Sequence, residues 1–187
     1  MNSVLQNFFQ NNLDRNIAVW FLSFRSDLGI KIFNFISFFG NWQILFPLTL
    51  IILFILYFRK KKEFIVPFLS AVVSAEAVTF FAKIFFQRGR PLLAVFHETD
   101  FSFPSGHATI AVAFYGYLTY TIIKSVKEKY KWPLIILAVI IIGLIGFSRL
   151  YLGVHYLSDV LAGYLVGLAA LVMVINFIKI TPLKLKK

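Results

Sequence analysis

The chain is predicted to be an all-α integral membrane protein: a bundle of five transmembrane helices joined to amphipathic interfacial helices at its N-terminus. Three observations predict this. First, 59% of the 187 residues are hydrophobic and 14% are charged. A soluble domain of this length would be close to half apolar, and here the excess falls in long uncharged runs, so the solvent is a bilayer. Second, the cations cluster between those runs: Arg59-Lys60-Lys61-Lys62, then Lys124, Lys127, Lys129 and Lys131, then Lys179, Lys184, Lys186 and Lys187. The positive-inside bias accounts for the net charge of +11 and leaves no reason to invoke nucleic acid. Third, the alternating short strands of a barrel are missing from the sequence. The chain has no cysteine, which excludes disulfides, thiolate metal sites and cysteine nucleophiles.

Residues 1–40 carry Asp14, Arg15, Arg25, Asp27 and Lys31. A span holding central charges would cost roughly 2.5–3.5 kcal/mol for each. Ile17, Trp20, Phe21, Phe24 and Leu28 recur with helical spacing, so this segment is expected to form one or two amphipathic helices in the outer interface. A tilted sixth span is the alternative. Gly40-Asn41 is the expected turn into the transmembrane core, residues 41–178, with spans near 41–58, 64–86, 105–123, 133–150 and 156–178. A basic cytoplasmic tail, 179–187, follows, and the whole chain, 1–187, reads as one domain. No secretory signal is evident, so the first span is expected to direct insertion. Placing 59–62 and 124–131 in the cytoplasm sends the second and fourth spans outward. Residues 83–107 and 148–159 then meet at the extracytoplasmic face of the cytoplasmic membrane.

Three signatures lie at these outer ends. Lys83-x6-Arg90-Pro91 closes the second span. Alone, Lys83 would read as a snorkelling lysine and Arg90-Pro91 as a loop dipeptide. Glu76 lies seven residues before Lys83 on the same helical face, and an interior hydrogen-bonding role is expected for it. Pro104-Ser105-Gly106-His107 reads as a helix N-terminus: Ser105 caps or donates, Gly106 lets a ligand approach the backbone, and the free amides attract anions. His107 follows in the first turn, where it could protonate a leaving oxygen, or simply sit at the interface. In Ser148-Arg149-x5-His155-x3-Asp159 the histidine and aspartate share a face at i and i+4. A carboxylate on one imidazole nitrogen fixes the tautomer and leaves the other free to attack, although an ordinary ion pair has the same spacing. Gly163 and Gly167 form a small-xxx-small pattern that close helix packing explains.

In this order, the three signatures resemble those of the type-2 phosphatidic acid phosphatase superfamily, whose fold is shared with vanadium haloperoxidases and acid phosphatases. The motifs K-x6-RP, PSGH and SR-x5-H-x3-D match without substitution over residues 83–159, and the span pattern extends the similarity to about 41–178. Residues 1–40 match least. The stretch from His97 to Pro104, with Glu98 and Asp100, is similar to small bacterial members acting on isoprenoid diphosphates or phosphatidylglycerol phosphate.

The resemblance implies a lipid phosphatase needing no cofactor or metal. His155 would attack phosphorus and carry a phosphohistidine, and Asp159 would orient it. His107 would protonate the leaving group and then activate water. Lys83, Arg90 and Arg149 would neutralise the phosphate oxygens, with Ser105 and the Gly106 amide completing the cradle. The expected partners are the bilayer and a phosphorylated lipid, with undecaprenyl diphosphate first and phosphatidylglycerol phosphate or phosphatidic acid second. Phosphate transfer to another lipid is an alternative. A non-catalytic lipid-binding or transport protein is a rival of another class, disfavoured because every expected position is filled. The sequence does not determine the oligomeric state.

Overall fold

The apolar runs form helices whose ends are set by capping residues and left-handed turns. The computed structural model describes residues 12–92 and 94–180. The first residues of the N-terminal segment and positions 181–187 of the basic tail lie outside the described residues. Helix α1 spans Asn12–Ser23 and α2 spans Asp27–Phe38. Ser26 caps α2, accepting from Gly29 N at 3.1 Å. After the turn at 39–41, Asn41 caps α3, Trp42–Phe58, accepting from Gln43 N at 3.1 Å. A short 3₁₀ turn, Lys62–Phe64, leads into α4, Ile65–Phe86. Helices α5, Gly106–Ile123, α6, Glu128–Tyr151, and α7, Leu157–Ile180, complete the order.

Four stretches among the described residues are long and apolar enough to cross a membrane: Asp27–Phe58, Lys62–Phe86, Glu128–Tyr151 and Leu157–Ile178. The fifth long helix, α5, falls short on composition because its neighbours enclose it. It packs on α4, α6 and α7 and buries Ala108 to Phe114 together with Tyr117. Polar Thr109 and Tyr117 can occupy such a helix because little of it meets lipid.

Small residues allow this enclosure. Ala75, Ala113 and Ala170 meet where α4, α5 and α7 converge. A Cβ at Gly163 would lie 2.6 Å from the Ser105 carbonyl oxygen, and one at Gly167 would lie 2.5 Å from that of Thr109. The two glycines therefore let α7 rest against the backbone of α5, as the small-xxx-small spacing implies. A larger cluster of Leu45, Phe68, Ala71, Ile110, Phe114 and Tyr117 fills the other half of the bundle.

Among the described residues the N-terminal segment forms two helices, and they do more than the interfacial reading anticipates. Phe21 and Phe33 pack with Phe147 and Tyr151 of α6, and Ser26 N donates to the Tyr151 hydroxyl at 3.0 Å. Two polar side chains of this segment, Asp14 and Ser37, are buried in the bundle. Helix α6 begins five residues before the expected 133. Pro133 lies near the start of the helix, and polar Glu128 to Lys131 extend it beyond the apolar run. Glu76 departs from expectation: it is exposed on α4. The buried stripe of that helix runs through Phe68, Ala71, Ala75 and Thr79, which turns the next residue outward.

Candidate active site

The C-terminal ends of α4 and α6 and the N-terminal ends of α5 and α7 meet at one end of the bundle. The basic loops at 59–62 and 124–127 lie at the other. Gln87, in the left-handed region at φ 46°, ends α4 just beyond Lys83. The 88–105 loop then folds back over the helix ends. Ser102 N donates to the Arg88 carbonyl at 2.9 Å, Val95 N to that of Leu152 at 3.0 Å and Ser105 N to that of Asp159 at 3.0 Å. Gly153, at φ 67°, makes the tight connection between α6 and α7.

This folding brings together the residues the three signatures supply. Lys83 Nζ donates to Asp100 Oδ2 at 2.7 Å and also bonds the Phe101 carbonyl. Arg90 donates through Nη1 to the Val154 carbonyl at 2.8 Å and through Nη2 to Glu98 Oε2 at 2.7 Å, and it also pairs with Asp100. Arg149, buried, donates through Nη1 to Ser37 Oγ at 2.6 Å and pairs through Nη2 with Glu98. Its Nε has no partner among the described residues. Glu98 thus bridges Arg90 and Arg149, while Asp100 bridges Lys83 and Arg90. The two carboxylates satisfy the same cations that a phosphate would require. Although burial opposes its ionisation, hydrogen bonds and charges from Lys83 and Arg90 hold the Asp100 pKa down at about 2.

His155 lies against this cation cluster, and its surroundings assign its tautomer. Arg90 Nη1 is 3.2 Å from Nε2, and a guanidinium can only donate. Nε2 therefore presents its lone pair to the cations and the proton sits on Nδ1, 3.4 Å from Asp159 Oδ2. Asp159 Oδ2 also accepts from Tyr156 N at 2.9 Å. Burial, reinforced by the charges of Arg149, Arg90 and Lys83, holds the His155 pKa well below the usual histidine range, so the ring is neutral and basic at Nε2.

Ser105 is fully buried and caps α5, its Oγ 3.5 Å from Ala108 N. Of its two expected functions, capping is the one observed. Among the described residues Gly106 has only the Thr79 methyl near its Cβ position, at 3.9 Å, which leaves room beside the first turn of α5. His107 is half-buried, within electrostatic reach of His155, Arg149, Arg90 and Lys83. The turn at Gly40 lies over it: a Cβ there would be 3.1 Å from His107 Cδ2. A cavity of about 340 Å³ is lined by Arg90, Phe96, Glu98 and Asp100 among others.

Among the described residues, Asp14, Ser37, Arg88, Glu98 and Asp100 join this end of the bundle without a role foreseen for them. Arg88 is 3% exposed and pairs with both Asp159 and Asp14. Asp14 shares a helical face with Ile17 and Phe21, at i, i+3 and i+7. A charge on an otherwise apolar stripe was the available signal. Ser37 had none. The arrangement can hold a tetrahedral anion among three cations, present a neutral imidazole nitrogen to it, and supply a second imidazole at a helix N-terminus.

Comparison with known proteins places this geometry in a family. The PAP2 superfamily model matches residues 64–181. Phosphatidylglycerophosphatase B of Bacillus subtilis is 41% identical over 98 residues, 51% of this chain and 48% of that protein. The undecaprenyl-diphosphatase of Sulfolobus acidocaldarius is 32% identical over 143 residues, 71% of this chain and 63% of that protein. The chain thus spans about half of one curated relative and less than two thirds of the other. The crystal structure of a transmembrane PAP2-type phosphatidylglycerolphosphate phosphatase from Bacillus subtilis superposes with a TM-score of 0.88 at 29% identity, covering 98% of this chain and 94% of that one. The family model covers most of the chain and includes every signature, and the chain belongs to the PAP2 superfamily.

Proposed function

We propose that this protein is a membrane lipid phosphatase that removes a phosphate from a lipid monophosphate or diphosphate by way of a phosphohistidine on His155. The observation that supports this best is the tautomer of His155: its basic Nε2 faces Arg90 while Nδ1 is directed at Asp159. In this reading the substrate phosphate displaces Glu98 and Asp100 from Lys83, Arg90 and Arg149. Nε2 attacks phosphorus, the P–O bond to the leaving group breaks, and His107 gives that oxygen its proton. His107 then takes a proton from water, which attacks the phosphohistidine and releases inorganic phosphate and free His155. Three fixed cations supply the charge stabilisation, with no metal in the step.

Undecaprenyl diphosphate, first from the sequence, is supported by the similarity to the Sulfolobus enzyme. Phosphatidylglycerol phosphate is supported by the Bacillus relative and by a structure similar over nearly the whole chain, and we place it first. The site would face outward across the cytoplasmic membrane. One experiment tests these points together: phosphate release from both lipids and from phosphatidic acid, in detergent and in sealed right-side-out vesicles, with and without chelator. Release from externally added short-chain lipid, unaffected by chelator and lost in His155→Ala, is expected. Release only after permeabilisation would contradict the orientation. Loss on chelation, restored by a divalent metal, would contradict the mechanism.

A further inference from the structure

We infer that Asp14 and Arg88 are positioning residues for phosphoryl transfer, completing a buried chain from Asp14 through Arg88 and Asp159 to His155 by which helix α1 fixes the orientation of the nucleophile. The inference rests on the reading of His155 as nucleophile. Its ground is that both oxygens of Asp159 are engaged. Oδ2 faces His155 Nδ1 at 3.4 Å and accepts from Tyr156 N at 2.9 Å, while Oδ1 pairs with Arg88 Nη1. A carboxylate held at both oxygens cannot rotate away from the imidazole.

Arg88 is held in turn. Nη1 donates to Ser158 Oγ at 2.7 Å, Nη2 donates to Asp14 Oδ2 at 2.9 Å, and the guanidinium lies 4.2 Å from the centre of the Tyr156 ring. Asp14 is anchored at the start of α7: its Oδ1 accepts from Ser158 N at 2.9 Å and its Oδ2 from Ser158 Oγ. Asp14, Arg88 and Asp159 are 3%, 3% and 0% exposed, so water cannot substitute for any of the partners.

The charges alternate as acid, base, acid. A lone buried carboxylate tends to take up a proton, and a protonated Asp159 could neither fix the Nδ1–H tautomer nor stabilise charge developing on the ring. Arg88 opposes that protonation, and Asp14 balances Arg88. The Asp14 side chain bonds only to Arg88 and Ser158 among the described residues, so its most direct side-chain path to His155 runs through Arg88 and Asp159. This group stands behind the imidazole and not in the cradle. The chain should therefore affect turnover and leave anion affinity alone.

The test is a double-mutant cycle of Asp14→Asn and Asp159→Asn, read as kcat on whichever lipid of the panel above is hydrolysed fastest. The inhibition constant of inorganic phosphate is the second readout, and thermal midpoints in detergent report folding. Asp14→Asn should lower kcat about tenfold in the parent and less than about twofold once Asp159→Asn is present, while the phosphate constant stays within about twofold. An equal loss in both backgrounds would overturn the inference, because general loosening of α1 would produce it. So would an unchanged kcat. If Asp14→Asn does not fold, Asp14→Glu decides: a lower kcat with an unchanged phosphate constant supports the chain of contacts, and full activity overturns it. Arg90→Gln and His155→Ala separate the two levels of the argument. If neither impairs the reaction, the underlying reading of the site has failed. If both do and Asp14→Asn does not, only the inference has.

Discussion

At His155 the protein keeps a base neutral inside a cluster of cations. An ordinary histidine gains its proton near pH 6.5. Here burial, together with Arg149, Arg90 and Lys83, lowers that value well below the usual range. The sign of the consequence is fixed. As pH falls below about 6.5 the unfolded chain binds this proton and the folded one does not, so stability declines with acidification while the Nε2 lone pair stays available. In His107→Ala, where no second imidazole takes part, rapid-quench phosphorylation of His155 should therefore proceed at the same rate at about pH 7.5 and about pH 6, where an unshifted imidazole would be mostly charged. A rate that halves near pH 6.5 would contradict this account of the site. Asp100 bears on the same question from the other side. Its pKa is held at about 2, so both it and its grip on Lys83 and Arg90 persist in mild acid. Substrate must then displace Asp100 by competition, since protonation would not release it.

The helices set these distances, and α7 rests directly against the backbone of α5. A methyl group at position 167 would sit 2.5 Å from the Thr109 carbonyl oxygen and 2.8 Å from the Val112 Cβ. Neither atom is the end of a flexible side chain, so Gly167→Ala should cost about 1–3 kcal/mol through overpacking. The expected reading is a lower thermal midpoint in detergent, with kcat reduced because His107 rides on α5 and His155 directly precedes α7. An unchanged midpoint would show that α5 and α7 do not pack at this distance. Much at this scale was legible in the sequence. The long apolar runs set the spans, Asn41 and Ser105 marked helix starts, and Gly163 and Gly167 marked a packing face. Less legible was the N-terminal segment, because the polar residues of a short amphipathic helix look solvated until a partner is known. Asp14 finds Arg88 and Ser37 finds Arg149 across separations of 74 and 112 residues, which no local pattern encodes. Glu76 failed for the opposite reason. A seven-residue spacing defines a shared face but not whether that face turns inward.

Across the whole molecule, the bundle gathers the chemistry at one end because four helix termini converge there. The signatures are short and ordered in sequence, so the gathering of their residues at one end of the bundle could be anticipated from them. The loop carboxylates that hold the cations and the N-terminal contacts behind Asp159 required the fold. The cationic loops at 59–62 and 124–127 lie at the opposite end from Lys83, His107, Arg149 and His155. The central claim is that this end of the bundle transfers phosphate through His155 and not directly to water. The most direct measurement is acid-labile phosphate trapped on the protein in a rapid quench, using lipid labelled in its terminal phosphate, for the parent, His107→Ala and His155→Ala. The account predicts trapped phosphate in the parent, accumulation in His107→Ala with a diphosphate lipid, whose leaving phosphate departs without protonation while water is no longer activated, and none in His155→Ala. Phosphate trapped in His155→Ala, or turnover in the parent with no trapped species while His107→Ala is equally blank, would contradict it.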